Sequence, residues 1–256
     1  MPIFDAKKFV DADHSPQVLI MTAAKERHGT TTRVEVALDT GSFDTWLDTC
    51  PYDASKNTKV ESYGSYHMPV SSSGEAFDVC DPQGNCVTLS HDKYCADTAS
   101  AKKTGDGDSF DVQKVDHDGL VGLACTTGKY NLGCSAFAGA KQAFVYDRKA
   151  DGNGQVCFSN SGGDECQQLR HQNVTRVNLD TSTPIPVANG MILDTGSSAT
   201  FQIPAKAREI YGASCLVSFP DIQHLELNYE QNYIEYIVDE DAVAKRCPAL
   251  KDRAYE

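Results

Sequence analysis

The sequence predicts a mostly β protein, and two observations support this prediction. Short runs in which apolar and polar residues alternate recur between turn-forming residues, a pattern typical of half-buried strands. Helical periodicity is scarce along the chain. A chain of 256 residues can form one large β domain or two lobes of about 120 residues each, and either size can bury a core.

Eight runs are predicted to be strands, and they are enriched in β-branched, aromatic and aliphatic residues. In chain order they are 17–23 (QVLIMTA), 31–38 (TTRVEVAL), 85–90 (NCVTLS), 142–147 (QAFVYD), 154–159 (GQVCFS), 176–180 (RVNLD), 224–229 (HLELNY) and 232–238 (NYIEYIV). Two short helices are predicted, at 136–144 and at 204–212. The second begins at Pro204 and ends at Gly212, residue types that favour those two ends of a helix.

Composition and charge exclude two classes of partner. The formal net charge is −13, whereas nucleic-acid binding requires a basic surface, so no nucleic-acid partner is expected. Hydrophobic residues make up 40% and charged residues 23% of the chain, which is ordinary for a soluble globular protein. No apolar run approaches the roughly 18 residues of a membrane span, so no membrane partner is expected.

The ten cysteines indicate disulfides rather than a metal site. They stand at positions 50, 80, 86, 95, 125, 134, 157, 166, 215 and 247. There is no Cys-x-x-Cys pair, and no arrangement of Cys and His has zinc spacing, so neither a metal nor a cofactor is expected. Three pairs would close short, turn-rich loops: Cys80–Cys86, Cys125–Cys134 and Cys157–Cys166. Spacing alone leaves the pairing open.

Disulfides would place the protein in an oxidising compartment. The sequence Asn173-Val-Thr175 is a glycosylation sequon, which fits a secreted glycoprotein. The N-terminal residues 1–17 contain no apolar signal-peptide segment, and we interpret the chain as a mature form with an added Met. An extracellular location is therefore expected.

The sequence Asp-Thr-Gly-Ser occurs twice, 155 positions apart, within ALDTGSFDTW at 37–46 and MILDTGSSAT at 191–200. Each copy alone is a weak signal, because Asp, Gly and Ser are common in turns. In both copies an apolar run predicted as a strand leads an Asp into a Thr-Gly-Ser turn. The Gly permits a tight turn and the close approach of another chain segment, and the hydroxyls can hold the carboxylate by hydrogen bonds.

If the two turns face each other, Asp39 and Asp194 meet. Two carboxylates about 4 Å apart repel by about 4 kcal/mol at an effective dielectric constant of 20, equivalent to about 3 pK units. They would share one proton and titrate as a pair. The ionised carboxylate can then take a proton from water while the protonated one polarises a carbonyl group. The repeat therefore predicts peptide hydrolysis at acid pH.

These motifs resemble the pepsin-like aspartic proteases, two-lobed β proteins in which each lobe contributes one Asp-Thr-Gly. The first motif, DTGSFDTW, includes Trp46, the only tryptophan. The segment DGLVGLA at 118–124 resembles the family's apolar-apolar-Gly segment near the first motif, and SYGS at 62–65 resembles the flap hairpin. The resemblance covers most of the chain and implies an N-terminal lobe at 1–137, with the first motif and the flap, and a shortened C-terminal lobe at 138–256.

The resemblance also implies roles for the residues of the two motifs. Asp39 and Asp194 would be catalytic. The residues that follow them would support the active site: the threonines would hydrogen-bond across the lobe interface, the serines would bond the outer carboxylate oxygens, and the glycines would complete the turns. These supporting residues are Thr40, Gly41, Ser42, Thr195, Gly196 and Ser197.

Outside the two motifs, the resemblance implies a flap and a disulfide. Tyr63 and Gly64 would belong to the flap, with Tyr63 closing over the substrate and bonding the indole N–H of Trp46. The segment FPDIQHLELN at 219–228 resembles part of the family's second-lobe disulfide loop, which implies a bond between Cys215 and Cys247.

The sequence also departs from the family pattern. In the family, another apolar-apolar-Gly segment follows the second-lobe disulfide and supports the second Asp-Thr-Gly turn, whereas this chain ends soon after Cys247. The support for Asp194 is therefore expected to be missing, and a displacement of about 1 Å can lower a rate about a hundredfold. An exposed sheet edge would pair with a second chain, with a removed C-terminal piece or with the N-terminal residues 2–10, and it could lead to association.

Two functions follow from these observations. The first is a secreted acid endopeptidase that acts on protein or peptide substrates through Asp39 and Asp194. The alternative is a catalytically inactive pepsin-like binding protein, such as a decoy, an inhibitor or an allergen-like module. The two identical Asp-Thr-Gly-Ser sequences favour the enzyme, because forcing two carboxylates together is unfavourable and a binding protein has no need of it. The missing segment favours the binding protein.

Overall fold

A computed structural model of the chain confirms that the protein is mostly β. It describes residues 3–9, 18–27, 30–56, 58–63, 66–74, 77–89, 94–103, 118–126, 133–134, 143–159, 164–179 and 185–253. We refer to the described residues up to 134 as the N-terminal half and to those from 143 onward as the C-terminal half. The expected boundary between residues 137 and 138 lies outside the described residues.

The N-terminal half consists of short strands and one 3-10 turn, Thr98–Ser100. Its strands are β1 (Ile3–Phe9), β2 (Val18–Arg27), β3 (Thr30–Asp39), β4 (Trp46–Leu47), β5 (Thr58–Tyr63), β6 (Tyr66–Ser72), β7 (Phe77–Cys80), β8 (Cys86–Leu89), β9 (Tyr94–Ala96), β10 (Lys102–Lys103), β11 (Gly119–Gly122), β12 (Cys125–Thr126) and β13 (Gly133–Cys134).

The C-terminal half contains strands, two α-helices and three 3-10 turns. The strands are β14 (Ala143–Arg148), β15 (Gly154–Ser159), β16 (Thr175–Asn178), β17 (Val187–Ala188), β18 (Met191–Asp194), β19 (Phe201–Gln202), β20 (Cys215–Ser218), β21 (Ile222–Asn228) and β22 (Tyr233–Val238). The helices are α1 (Ala205–Tyr211) and α2 (Glu240–Arg246), and the 3-10 turns are Asp164–Leu169, Phe219–Asp221 and Pro248–Arg253.

All eight predicted strands are present. The helix predicted at 204–212 is also present as α1, and Gly212 ends it in the left-handed conformation with φ of 65°, where a glycine is favoured. Of the helix predicted at 136–144, residues 136–142 lie outside the described residues. Residues 143 and 144 begin β14 instead, because the backbone of this strand pairs on both sides, with β15 and with β21. Helix α2 was not predicted.

One large sheet connects the two halves. Its main path among the described strands runs in the order β10-β6-β9-β4-β11-β3-β2-β1-β15-β14-β21-β22-β16. The N-terminal strand β1 is the link, since Ala6 pairs with Met21 of β2 and Phe4 pairs with Val156 of β15. Three partners were expected for an exposed sheet edge, and one of them was the N-terminal strand. The structure shows this strand paired on both sides, with β2 and with β15.

The largest cluster of buried side chains includes residues of both halves. Phe4 of β1 packs edge-on against Phe158 of β15, with ring centroids 5.7 Å apart. Leu38 and Leu193, which directly precede the two aspartates, are both buried in this cluster. The chain segments that lead into the two Asp-Thr-Gly turns are therefore anchored in one core.

Four disulfides join described cysteines: Cys50–Cys95, Cys80–Cys86, Cys157–Cys166 and Cys215–Cys247. Two of the bonds expected from loop closure and the one expected from the family resemblance are confirmed. The backbones of Cys125 and Cys134 pair directly across β12 and β13, and their side chains lie outside the described residues. Within the described part of the chain, neither helix has the length and apolarity needed to cross a membrane.

Candidate active site

The two Asp-Thr-Gly turns face each other, which is the condition under which Asp39 and Asp194 were expected to meet. Strands β3 and β18 end at Asp39 and Asp194, and each carboxylate reaches over to the glycine of the opposite turn. A Cβ atom on Gly41 would lie 2.9 Å from Cγ of Asp194, and one on Gly196 would lie 2.2 Å from Cγ of Asp39. The glycines therefore provide the space in which the two carboxyl groups meet.

Thr40 and Thr195 lock the two turns together through reciprocal hydrogen bonds. The backbone N–H of each threonine donates to the hydroxyl of the other, at 3.1 Å in both directions. The hydroxyl of Thr40 donates to the carbonyl of Leu193 at 2.7 Å, and that of Thr195 donates to the carbonyl of Leu38 at 2.7 Å. All four bonds are buried, so they are shielded from competition with water.

Asp39 is held by hydrogen bonds from its own turn. The backbone N–H of Gly41 donates to one carboxylate oxygen at 2.8 Å, and the hydroxyl of Ser42 donates to the other at 2.5 Å. The resemblance implied this contact of Ser42. These two bonds fix the orientation of the Asp39 carboxyl group.

Asp194 receives less support, because Ser197 does not do what the resemblance implied. The N–H of Gly196 donates to Asp194 at 2.9 Å, but the hydroxyl of Ser197 donates to the carbonyl of Ala199 at 3.4 Å. Ser197 acts on the Asp194 carboxyl group through its backbone N–H and not through its hydroxyl. The expected role of the Ser197 hydroxyl is thus corrected, and the two carboxyl groups differ in their hydrogen-bond donors.

The pKa of the Asp194 carboxyl is raised well above its ordinary value. Burial is the largest cause, followed by the negative charge of Asp39 and a hydrogen bond between the two carboxyl groups. The backbone N–H groups of Gly196 and Ser197 oppose this rise. A hydrogen bond between two carboxyl groups requires one proton, so the pair can hold one ionised and one protonated member.

The segment 118–124 supports the first turn, in the position that its motif predicted. Strand β11 runs parallel to β3, and Gly122 is the register partner of Asp39. The N–H of Leu123 donates to the backbone carbonyl of Asp39 at 2.8 Å. The backbone of the first aspartate is thereby fixed by a neighbouring strand.

The expectation that the second turn lacks such a support is wrong. Strand β20 runs parallel to β18, with Ser218 as the register partner of Asp194, and the N–H of Phe219 donates to the carbonyl of Ser197 at 3.1 Å. The support was expected from an apolar-apolar-Gly segment after Cys247. Strand β20 was not recognised because it lacks that pattern and precedes Cys247. The disulfide between Cys215 and Cys247 anchors its first residue.

Two threonines complete the support and were not predicted. Thr45 and Thr200 each stand six positions after an aspartate, and both are buried. The N–H of Gly122 donates to the hydroxyl of Thr45 at 3.3 Å, and the N–H of Ser218 donates to that of Thr200 at 3.0 Å. The signal was present in the sequence, since the repeat extends to Asp-Thr-Gly-Ser-x-x-Thr in both copies.

The expected flap region is described only in part. Tyr63 ends β5, which pairs antiparallel with β6, but the Tyr63 side chain and all of Gly64 lie outside the described residues. Trp46 is 2% exposed and belongs to a cluster of buried side chains that includes Met68, Val70, Ala96, Ala101 and Leu120. The structure thus provides a hairpin at the expected place and buries Trp46, while the contact of Tyr63 with Trp46 stays a prediction.

The raised pKa of Asp194 makes the stability of the protein depend on pH. A carboxyl whose folded-state pKa is raised contributes stability that is fully present below its unfolded pKa, about 3.9, and is lost as the pH rises through the folded value. Asp194→Asn removes this loss. The Tm of Asp194→Asn relative to that of the parent should therefore be higher at pH 7 than at pH 3. Calorimetry at both pH values measures this difference.

Glu230→Gln is the matched control, because Glu230 is an exposed residue in the turn between β21 and β22. Its Tm difference from the parent should stay nearly constant between pH 3 and pH 7. A constant difference for Asp194→Asn as well would contradict the assignment of a raised pKa to Asp194.

No protein-family model and no curated protein sequence matches this chain. The function is therefore inferred from the arrangement of the paired aspartates and their supports.

Proposed function

We propose that this protein is a pepsin-like acid endopeptidase that hydrolyses protein or peptide substrates with water activated by Asp39 and Asp194. The observation that carries the proposal is the close approach of the two carboxyl groups over Gly41 and Gly196. The proposal includes a two-lobed fold with lobes at 1–137 and 138–256. It is supported by a similarity between the two halves, since the strand that leads into each aspartate pairs with a parallel strand, β3 with β11 and β18 with β20.

The unequal hydrogen bonding of the two carboxyl groups assigns their roles in this mechanism. Asp39, which accepts the hydroxyl hydrogen bond of Ser42, is the ionised base. Asp194, whose pKa is raised, is the protonated acid. Asp39 takes a proton from water as the water oxygen bonds to the scissile carbonyl carbon, and Asp194 gives its proton to the carbonyl oxygen. Asp39 then gives its proton to the amide nitrogen as the C–N bond breaks, and Asp194 takes back a proton from a hydroxyl of the tetrahedral intermediate, so the products are a carboxylic acid and an amine.

The surroundings of the pair suit this chemistry. The reciprocal bonds of Thr40 and Thr195 and the two parallel-strand supports fix the carboxyl groups before substrate binds, which lowers the reorganisation needed in the transition state. The inactive alternative rested on a missing support for Asp194. Because β20 lies beside β18, that particular ground for the alternative is removed.

An extracellular location also belongs to the proposal. Four disulfides among the described cysteines are typical of proteins that fold in an oxidising compartment. Asn173 of the sequon is exposed, as a glycosylation site must be. A secreted glycoprotein would accommodate both features.

The proposal is tested by incubating the parent protein with an unfolded protein substrate from pH 2.5 to pH 7, with and without pepstatin. We expect cleavage with an acid optimum and inhibition by pepstatin. Near-UV circular dichroism at each pH establishes that the protein is folded. A folded protein that is inactive over the whole range would overturn the proposal and leave the binding-protein alternative.

A further inference from the structure

A second cluster of titratable side chains lies in the C-terminal half, built from three separate segments. Asp147 of β14 and His224 of β21 are register partners, and His171 follows the 3-10 turn Asp164–Leu169. The Nε2 atom of His171 is hydrogen-bonded to Oδ1 of Asp147, and Nδ1 of His224 lies 3.8 Å from the same oxygen. One potential ligand atom from each residue lies within 4.8 Å of the other two.

His224 is the unusual member of this cluster. Its side chain is 0% exposed, and neither ring nitrogen has a hydrogen-bond partner among the described residues. Buried polar atoms in folded proteins are nearly always hydrogen-bonded or bound to an ion or water, because burying an unpaired polar group is unfavourable. The ring of His171 packs against it edge-on, with centroids 4.9 Å apart. The unpartnered imidazole therefore points to a ligand that binds a nitrogen lone pair.

Two further carboxylates near His224 are already neutralised by arginines. Arg170 donates two hydrogen bonds to Glu226, at 3.1 and 3.0 Å, and Arg176 forms an ion pair with Glu235. These carboxylates therefore have partners of their own, although one oxygen of each lies within 4.8 Å of a His224 ring nitrogen. Metal-binding histidines usually direct their other ring N–H at such a carboxylate.

We propose that Asp147, His171 and His224 bind one divalent transition-metal ion, for which Zn²⁺ is the best match. Two imidazole nitrogens and one carboxylate oxygen are a ligand set that zinc prefers. Ligands about 2 Å from a tetrahedral zinc ion lie about 3.3 Å apart, close to the 3.8 Å between His224 and Asp147, and the ion would replace the hydrogen bond between His171 and Asp147. His171 is 42% exposed, so water can reach the fourth position.

Such an ion would act as a structural clamp, separate from the paired aspartates. It would tie the segment that contains His171 to the two central strands β14 and β21. The disulfide between Cys157 and Cys166 already attaches the beginning of that segment to β15. The metal would attach its other end, so that both ends are held against the sheet. The inference does not depend on the proposed protease activity.

The test compares metal binding by the full chain and by two variants, each dialysed against a chelator and then against metal-free buffer at pH 7.5. Zn²⁺ affinity is measured by competition with a chromogenic chelator, and Co²⁺ is added to record the visible absorption of a protein-bound ion. We expect the parent to bind Zn²⁺ and to show Co²⁺ bands. His171→Ala and Asp147→Asn should each lower the Zn²⁺ affinity at least tenfold and remove the bands, and Zn²⁺ should raise the Tm of the parent more than theirs.

His67→Ala is the control, because His67 is an exposed histidine on β6 in the other half of the chain. It should bind Zn²⁺ as the parent does. His171 is the preferred test position because it is partly exposed, whereas substitution of the buried His224 would itself disturb folding. The proposal is overturned if the parent shows no Co²⁺ bands, or if His171→Ala and Asp147→Asn retain the parent's Zn²⁺ affinity.

Discussion

Replacement of either Asp39 or Asp194 by asparagine is expected to lower the rate of peptide hydrolysis at acid pH by about 10²–10⁴-fold. Each substitution keeps the shape of the side chain and removes one of the two proton-transfer groups, whose contribution to catalysis is of that size. An asparagine in place of Asp39 could not accept a proton from water, and one in place of Asp194 could not donate a proton to the carbonyl oxygen. The measurement is the specific activity of each variant on an unfolded protein substrate at the parent's pH optimum.

Two comparisons sharpen this prediction. The double variant should be little worse than either single variant, because two groups that act on the same water contribute as a unit. Asp44→Asn is the matched control, since Asp44 lies in the first motif but forms an ion pair with Lys59 at 2.7 Å. It should retain the parent's activity. Full activity in folded Asp39→Asn or Asp194→Asn would contradict the paired-aspartate mechanism.

Local pattern predicted much of the fold and the centre of the site. Strands such as β15 could be predicted because a short apolar run between turn-forming residues is typical of a strand, and every residue of β15 except Gln155 is buried. The facing pair of aspartates could be predicted as a candidate site because the same four residues recur after an apolar run. The disulfide between Cys157 and Cys166 closes a loop short enough to be recognised from its turn-forming residues.

Contacts between residues distant in sequence could not be predicted in this way. Spacing gave no reason to pair Cys50 with Cys95, which stand 45 positions apart. His171 and His224 meet only because β21 pairs with β14 and a separate segment packs beside them. The support of Asp194 by β20 was missed because backbone hydrogen bonds between parallel strands place no demand on side-chain identity.

The glycines of the two motifs are also explained by the structure rather than by turn propensity. Neither Gly41 nor Gly196 has a positive φ, so backbone conformation is not what requires glycine at these positions. The requirement is space, because the carboxyl group of the opposite aspartate occupies the place of the side chain. A Cβ atom would meet Asp39 at 2.2 Å on Gly196 and Asp194 at 2.9 Å on Gly41. The two positions therefore differ in how much displacement a methyl group would cause.

Gly196→Ala is accordingly expected to lower activity by about a hundredfold, and Gly41→Ala by less. The added methyl group must push the Asp39 carboxyl away from its partner, and a displacement of about 1 Å costs about that factor in rate. Overpacking should also lower the free energy of unfolding by about 1–3 kcal/mol. Urea denaturation measures the stability, and specific activity is corrected for the folded fraction.

Gly152→Ala separates the loss of activity from the loss of stability. Gly152 lies in the turn between β14 and β15 with φ of +87° and with open space around a Cβ atom, so alanine there costs about 1–2 kcal/mol of backbone strain without touching the site. Its folded fraction should have the parent's activity. Equal activity per folded molecule in Gly196→Ala would mean that Asp39 need not lie close to Asp194, and the proposed sharing of one proton between them would then be wrong. Loss of activity confined to Gly196→Ala and Gly41→Ala would instead tie catalysis to the separation of the two carboxyl groups.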